Sequence, residues 1–294
     1  MTQLRGKVAL VTGASRGAGR GIARVLAEQG VTIYVTGRRT RENPHPEFEG
    51  CTIDDTVDQI NERGGKGIGV QVDHTDDEQV AALFDRINRE QGRLDILVNN
   101  IWGGYEDDMD TFLDGFWKQP LARLDKMYHA GIRAHFSASQ HAAKIMIPQK
   151  SGLIINTTFW DEDKYISNLP YDLAKAAINR MAYDMAYELH DFNIAAIALS
   201  PGWMRTEVIL AHHSPGNKTT DTEFDFEHWE ITESIEYIGR AVAALATDLA
   251  VMEKSGQTLT VGGVAKEYGF VDIDGRYVPP FDFTFTRDQR NLTP

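Results

Sequence analysis

A glycine-rich stretch, Thr12-Gly13-Ala14-Ser15-Arg16-Gly17-Ala18-Gly19, joins an apolar run at 7–12 to a segment with helical periodicity at 22–29. Glycines at such a junction let the backbone turn tightly and approach a pyrophosphate, whose charge is then met by the free N–H groups of the helix. The stretch lies between a predicted strand and a predicted helix, as dinucleotide binding requires, although a glycine turn without a ligand is the alternative. It predicts a nucleotide-binding loop with contacts at Gly13, Ser15, Arg16, Gly17 and Gly19.

Outward from this loop, strand-like and helix-like segments alternate along most of the chain. Near-continuous apolar runs predict strands at 7–12, 32–36, 67–72, 94–98, 153–157, 194–199 and 258–261. Amphipathic stretches predict helices that include 22–29, 78–90, 134–146, 174–189 and 235–246. This order predicts a three-layer α/β/α fold, a Rossmann-type doubly wound parallel sheet. We find no internal repeat or low-complexity linker, so we expect a single domain over residues 1–294.

The composition narrows the class of protein. The chain has 294 residues, 42% of them hydrophobic and 25% charged, and its formal net charge is -13. An acidic balance of this size disfavours binding to nucleic acid. The longest apolar stretch, 194–199, is far shorter than the roughly 18 residues of a membrane span. No secretory leader is visible at 1–6, and Cys51 has no partner for an internal disulfide, so we expect a cytoplasmic protein.

Three long connections follow predicted strands directly, at about 101–120, 159–170 and 203–234, and an arm at 275–294 ends the chain. Because ligands bind outside the carboxyl ends of parallel strands, these connections are expected to surround a small-molecule site. They contain all five tryptophans: Trp102, Trp117, Trp160, Trp203 and Trp229. Those nearest the strand ends, Trp102, Trp160 and Trp203, are candidate contacts for an apolar or aromatic substrate, or else they pack the connections against the sheet.

The same connections are acidic, with Asp107, Asp108, Asp110, Asp114, Asp161, Glu162, Asp163, Asp221, Glu223, Asp225, Glu227 and Glu230. An acidic rim favours a neutral or cationic substrate over an anionic one, and a solvated surface without bearing on the substrate is the alternative. The spacing of six residues between His129, His135 and His141 rotates them around a helix, so we predict no metal site.

The second predicted strand ends in Thr36-Gly37-Arg38-Arg39, without the acidic residue that binds the ribose hydroxyls of NAD. Arginine suits a 2′-phosphate, because its planar guanidinium binds oxyanions through two parallel hydrogen bonds. Arg38, with Arg16 in the glycine loop, therefore favours NADP(H), and NAD(H) is the alternative if the arginines are only solvated.

Tyr171 and Lys175 lie one helical turn apart on the same face of a predicted helix. A phenol has a pKa near 10, so acid–base work at neutral pH requires a shift of about 3 units, roughly 4 kcal/mol. A nearby ammonium in a site of low dielectric can supply much of that shift. Alone, the pair would be an ordinary contact on a helix surface.

Together with the glycine loop, this pair resembles the short-chain dehydrogenase/reductase family, and the resemblance extends from Lys7 to about Gly263. It implies that Asp73 contacts adenine, that Asn99 begins the family's Asn-Asn-Ala-Gly motif, and that Pro201, Gly202 and Thr206 flank the nicotinamide. Val261-Gly262-Gly263 is similar to the end of the family's last strand. The stretches 116–120, 131–133 and 267–276 look most like the subgroup of dehydrogenase/reductase family member 1.

The departures from the family pattern fall around the tyrosine. Thr158 stands thirteen residues before Tyr171 in place of the family's serine, with Thr157 beside it. Gly131 replaces the helix asparagine that holds a relay water in the family, and Ile101 and Trp102 replace the small pair of the Asn-Asn motif.

The resemblance implies an oxidoreductase that moves a hydride between NADP(H) and a carbonyl or alcohol. Tyr171 would exchange the proton, Lys175 would lower the tyrosine pKa and hold the ribose, and Thr158 would orient the carbonyl. The alternative is a catalytically weak nucleotide-binding sensor or scaffold, and the direction of the reaction is left open. The family also implies a homodimer or homotetramer built through the helices around Ala134 and Ala174.

Overall fold

The computed structural model describes residues 4–105, 111–160, 164–213 and 230–282. Its strands are β1 Val8–Val11, β2 Thr32–Gly37, β3 Lys66–Gln71, β4 Ile96–Asn99, β5 Gly152–Thr157, β6 Ile194–Ser200, β7 Trp203–Met204, β8 Thr232–Glu233 and β9 Thr258–Thr260. Seven of them form one parallel sheet in the order β3-β2-β1-β4-β5-β6-β9, and β7 pairs in parallel with β8. The strand order reverses between β1 and β4, so a crevice for a ligand is expected there.

Helices cover both faces of the sheet. They are α1 Gly17–Glu28, α2 Ile53–Glu62, α3 Asp77–Gln91, α4 Leu121–Lys126, α5 Ala134–Gln149, α6 Leu169–Leu189, α7 Glu207–His213, α8 Ile235–Thr247 and α9 Val261–Tyr268. A π-helical segment, Met127–Arg133, joins α4 to α5. No helix among the described residues is long and apolar enough to span a membrane.

Two apolar clusters fill the space between the helices and the sheet. One contains residues of α1, α8 and α9, and the other contains residues of α3, α5 and α6. Helices α1 and α8 approach each other closely at Gly21 and Gly239, since a Cβ at Gly21 would overlap the carbonyl oxygen of Ile235. A Cβ at Gly239 would lie 2.8 Å from the carbonyl oxygen of Gly21. This backbone packing fixes α1, and with it the glycine loop, on the sheet.

The seven predicted strands of the parallel sheet and the five predicted helices are confirmed, within a few residues at their ends. One boundary was wrong: Val261, predicted as the end of the last strand, begins α9. The Thr260 side chain accepts a hydrogen bond from Gly263 N and so caps a helix there. Helices α2, α4, α7 and α9 were missed, and the connection predicted at 203–234 contains β7, α7 and β8.

Candidate active site

The glycine loop takes a backbone course that side chains would prevent. Gly13 and Gly17 have φ of +64° and +56°, in the left-handed region that favours glycine. A Cβ at Gly19 would lie 2.5 Å from the carbonyl oxygen of Gly13 and 2.6 Å from Asn100 Nδ2. Asn100 Nδ2 donates to the Gly13 carbonyl at 3.0 Å, which ties the loop to the end of β4.

The start of α1 is suited to an anion. Side chains cap the N-termini of α2, α3, α6, α8 and α9, through Thr52, Asp76, Asn168, Ser234 and Thr260. Helix α1 has no such cap from its N-cap residue Arg16, and its first turn contains no acidic residue. The Nη1 atom of Arg16 is buried and finds no hydrogen-bond partner within the described ranges. These groups fit the pyrophosphate of a dinucleotide, because the N–H groups of a helix start and a guanidinium both attract negative charge.

A carboxylate that the sequence reasoning missed reaches this same place. Gly17 N donates to Glu207 Oε2 at 2.8 Å, and Arg20 Nη1 lies 2.9 Å from Glu207 Oε1. Thr206 lies beside it, with its methyl carbon 3.5 Å from the position of a Cβ on Gly17. Helix α7 therefore begins on the glycine loop. No local pattern could have revealed this contact, because about 190 residues separate its partners.

Several arginine side chains lie near the end of β2. Arg38 is exposed at the strand end. The Arg16 guanidinium lies 5.2 Å from the centre of the Phe48 ring. Burial, followed by the charges of Arg16 and then Arg39, lowers the pKa of His45, so these groups lie near one another. Arginine side chains from the glycine loop and from the segment after β2 thus face one region.

Two residues assigned to the cofactor by resemblance have local partners in the structure. Asp73 lies two residues after β3, and its carboxylate accepts hydrogen bonds from the backbone and hydroxyl of Thr75. Asn99 is buried inside the sheet, where its amide donates to Ser139 Oγ at 2.9 Å and to Asn156 Oδ1 at 2.8 Å. The neighbouring Asn100 is the residue of this motif that contacts the glycine loop.

Tyr171 and Lys175 occupy the first two turns of α6, whose N-cap residue Asn168 accepts a hydrogen bond from Tyr171 N at 3.0 Å. The Lys175 Nζ atom lies 3.7 Å from the centre of the Trp102 ring and 5.4 Å from that of the Tyr171 ring. Burial lowers the pKa of Lys175 to about 7. It also raises the pKa of Tyr171 well above its usual value, opposite to the predicted direction. Burial is the largest cause of both pKa shifts, and the Lys175 nitrogen lies over an aromatic face instead of beside a carboxylate.

Trp102 fills the space that Gly131 leaves open. A Cβ at Gly131 would lie 2.8 Å from the Cζ3 atom of the indole. The indole meets the Tyr171 ring edge to face, with centroids 5.3 Å apart. Gly131 belongs to the π-helical segment, a kind of helical irregularity that is frequent at functional sites. The two departures from the family pattern, Gly131 and Trp102, therefore compensate for each other in packing.

Tyr105 is a further residue that the sequence reasoning missed. Tyr105 and Tyr171 influence each other electrostatically, so the two phenols lie near one another. The Tyr105 ring lies 6.0 Å from Trp102 and 5.5 Å from Phe112, measured between centroids. A tyrosine soon after the end of β4 was the available signal, since the carboxyl ends of neighbouring strands meet at one edge of the sheet.

Thr158 lies just beyond β5 and is 3% exposed. Its hydroxyl donates to the backbone carbonyl of Lys175 at 3.4 Å. The neighbouring Thr157 hydroxyl donates to Asn100 Oδ1 at 3.4 Å. Both threonines are thus bonded to the scaffold that surrounds the tyrosine.

The segment after β6 packs against β8 and Phe281. Gly202, which follows Pro201, packs against the Glu233 carboxyl and Phe281, 3.0 Å and 3.5 Å from a Cβ placed on the glycine. Burial raises the pKa of Glu233 to about 8. Trp203 lies in β7 and pairs with Thr232 of β8.

The three candidate substrate tryptophans differ in their contacts. Trp102 touches the ring of Tyr171 and the ammonium of Lys175. Trp160 follows β5, where its backbone N donates to Ser200 Oγ at 2.9 Å. Most of the acidic residues of the connections lie outside the described residues, as does Trp229. Within the part of the chain that the structure describes, no cluster of His, Cys, Asp or Glu could hold a metal ion.

Comparison with known proteins agrees with this geometry. The family model described as short chain dehydrogenase matches residues 7–214. Dehydrogenase/reductase SDR family member 1 of Mus musculus is 35% identical over 284 residues, which cover 95% of this chain and 87% of the mouse protein.

Solved structures match over most of their length. A short chain dehydrogenase of Mycobacterium thermoresistibile is 26% identical, with a TM-score of 0.77 over 94% of this chain and 92% of its own. A 7α-hydroxysteroid dehydrogenase in complex with NADH and 7-oxo glycochenodeoxycholic acid is also 26% identical, with a TM-score of 0.71 over 89% of this chain and 95% of its own. The chain therefore belongs to the short-chain dehydrogenase/reductase family, whose enzymes act on alcohol or carbonyl groups with a nicotinamide cofactor.

Proposed function

We propose that the protein is an NADP(H)-dependent oxidoreductase acting on a neutral, apolar or aromatic carbonyl or alcohol, with Tyr171 as the acid–base group. The observation that carries the proposal is the placement of Tyr171 and Lys175 beside Trp102, which follows β4, while the glycine loop follows the adjacent strand β1. The titratable pair Tyr171 and Lys175 thus lies at the same crevice as the start of α1, which is suited to an anion.

The chain's own residues would do the following work in carbonyl reduction. When bound, NADPH would supply the hydride for the carbonyl carbon. Tyr171 gives its proton to the carbonyl oxygen as negative charge develops there. Lys175 holds the ribose and, when charged, favours the phenolate that remains. Gly13, Ser15, Arg16, Gly17 and Gly19 would hold the pyrophosphate, and Asp73, Asn99, Pro201, Gly202 and Thr206 would make the cofactor contacts that the family resemblance implies.

Replacement of Tyr171 with Phe tests the acid–base role. Removing a positioned general acid costs about 100- to 10,000-fold in rate, so the Y171F variant is expected to lose nearly all turnover. Its dissociation constant for NADPH should stay within a few-fold of the wild-type value. NADPH absorbance with a panel of aromatic and aliphatic ketones measures turnover, and retained activity in the variant would refute the role.

The preference for NADP(H) is supported by the arginines around the end of β2. Arg16 and Arg39 both act on His45, and Arg38 is exposed nearby. We expect the R38A variant to weaken NADPH binding by about 10-fold while NADH binding changes little, as loss of one charge-assisted contact predicts. Arg41 is the matched control, because its guanidinium already pairs with Asp55 and Asp58. Tighter binding of NADH than of NADPH by the wild type would overturn the preference.

A catalytically weak nucleotide sensor is the second candidate, and the filled space between Trp102 and Gly131 favours it. The ketone panel separates the two candidates: a sensor binds NADPH without oxidising it.

The oligomer and the location stay predictions. A homodimer or homotetramer is supported by exposed apolar side chains on α5 and α6, namely Phe136, Leu173, Tyr183 and Tyr187. Sedimentation measures the oligomeric state. Fractionation of the source cells tests the cytoplasmic location.

A further inference from the structure

The described part of the C-terminal arm, 275–282, returns to the carboxyl ends of strands β5 and β6. It contains a half-buried phenylalanine, Phe281. The Phe281 ring meets the Phe159 ring edge to face, with centroids 5.7 Å apart. The Phe281 Cβ atom also lies 3.5 Å from the position of a Cβ on Gly202. One side chain of the arm therefore contacts the segments that follow both strands.

The segment after β5 joins this ring pair to helix α6. Thr158, which precedes Phe159, donates to the backbone carbonyl of Lys175 at 3.4 Å. Strands β5 and β6 are parallel neighbours, and Trp160 N donates to Ser200 Oγ at 2.9 Å where they end. The two phenylalanine rings thus lie at the edge of the sheet where parallel strands end and ligands bind.

The arm is held in place just before Phe281. The Tyr237 hydroxyl of α8 donates to the Val278 carbonyl at 3.0 Å and accepts from Val278 N at 3.3 Å. Gly262 of α9 packs so closely against the arm that a Cβ there would lie 2.4 Å from Pro280 N. Because the main chain beside Phe281 is fixed in this way, contact with a ligand costs little conformational entropy.

We propose that Phe281 is a specificity-determining residue, which forms with Phe159 an apolar wall for a ring-bearing substituent of the carbonyl or alcohol substrate. This inference rests on the proposed function. Trp102 lies beside Tyr171 on the segment after β4, whereas the phenylalanine pair belongs to the side of β5 and β6. A substrate with its carbonyl at Tyr171 would then meet aromatic rings on two sides. Aromatic rings form favourable edge-to-face contacts with other rings.

The wall distinguishes substrates by their rings. Benzophenone has a ring that can lie against the two phenylalanines, and acetone has none. The contact involves a part of the substrate that is remote from the carbonyl, so it stabilises the bound substrate and the transition state alike. Such a contact acts mainly on KM and little on kcat.

The test compares the full-length variants Phe281→Ala and Phe281→Leu with Leu249→Ala. Leu249 is the control, because its side chain is fully exposed. Loss of one ring contact corresponds to about a 10-fold change in binding. The ratio of kcat/KM for benzophenone to kcat/KM for acetone should therefore fall about 10-fold in F281A, chiefly through the KM for benzophenone. It should fall less in F281L, which keeps part of the apolar surface, and stay at the wild-type value in L249A.

A second measurement does not depend on turnover. With para-fluorophenylalanine at position 281 and NADP⁺ bound, no ketone can be reduced. The fluorine resonance should shift when benzophenone is added and stay in place when acetone is added. Fluorescence titration measures the affinity for NADPH, which should be the same in F281A, F281L and the wild type.

Two results would overturn the inference while the proposed function stands: a wild-type ratio in F281A, or a fluorine resonance that benzophenone leaves in place. Equal losses for the two ketones with weaker NADPH binding would also overturn it, because Phe281 would then support the turn at Gly202 instead of contacting substrate. If the wild type reduces no ketone and oxidises no alcohol, the proposed function fails. In that case a fluorine shift with benzophenone would still support the wall, and its absence would overturn the wall as well.

Discussion

The glycine loop and the surroundings of Tyr171 solve opposite packing problems. At Gly19 an added methyl group would meet the protein backbone, which cannot move aside without disturbing β1. At Gly131 it would meet the side chain of Trp102 instead. The first region requires small residues because its backbone is fixed. In the second region the large side chain of Trp102 occupies the space of the asparagine that the family has in place of Gly131. The difference teaches that a departure from a family pattern is tolerated where a neighbouring side chain can take up the volume.

The largest effect is expected at Gly19. In the G19A variant the new methyl group lies 2.5 Å from the Gly13 carbonyl, so the loop must distort and NADPH affinity should fall at least about 100-fold. Titration of the protein's intrinsic fluorescence measures this affinity. The G64A variant is the control: Gly64 has φ of +78° but open space around it. Near-normal affinity in G19A would show that the two regions do not differ as described.

The second effect concerns the exchange of volume at Gly131. Asparagine at this position collides with the indole, and overpacking of this kind costs about 1–3 kcal/mol of unfolding free energy. The G131N/W102G double variant should recover most of the stability lost in G131N. Urea denaturation measures both. Additive losses in the double variant would mean that Trp102 and Gly131 are not coupled.

The third effect is the pH dependence of stability that buried Lys175 confers. Its pKa is about 7 in the folded protein and 10.5 for a free side chain, so from pH 7 upward the unfolded chain binds more protons. Unfolding free energy from this group therefore rises as pH increases from about 7 to about 10.5, and it is lost again as pH falls back toward 7.

Between pH 7 and 9 the wild type should gain about 2 kcal/mol over the K175M variant, since one pKa unit corresponds to about 1.4 kcal/mol. Urea denaturation of both proteins at the two pH values provides the comparison. If the unfolding free energies of the wild type and K175M changed with pH in parallel, the Lys175 ammonium would be solvated instead of lying over the Trp102 ring.

The smallest effect is expected at Glu207, which contacts the glycine loop. The Glu207 carboxylate accepts from Gly17 N and pairs with Arg20, so it opposes an anion at the start of α1. The E207Q variant is expected to bind NADPH about 3- to 10-fold more tightly, about 1 kcal/mol. Exposed Glu188 on α6 supplies a control variant, E188Q. Weaker binding in E207Q would show that the carboxylate supports the loop instead of competing there.

Much of the fold could be predicted because the buried parallel strands are nearly continuous apolar runs. Helix α2 was missed although Thr52 and Asp55 form a capping box at its start. Within the site, the spacing of Tyr171 and Lys175 correctly placed both on α6, since neighbouring turns of a helix share a face.

The remaining features of the site join residues far apart in the chain. The Glu207 contact with Gly17, the ammonium of Lys175 over Trp102 and the approach of Tyr105 to Tyr171 all depend on how separate elements meet. The pKa of Tyr171 shifts upward for the same reason. Spacing shows that a cation is near the phenol, but not that both groups lose their water together.

The contact between α1 and α8 has a consequence for the newly made chain. Gly21 and Gly239 bring the backbones of these helices together, and α8 packs against one side of α1. A ribosome that has synthesised the complete glycine loop has therefore not yet made the helix that holds it in place. We expect the nascent chain to leave that apolar side of α1 uncovered until residues beyond 239 emerge, and fragments that end before α8 to aggregate.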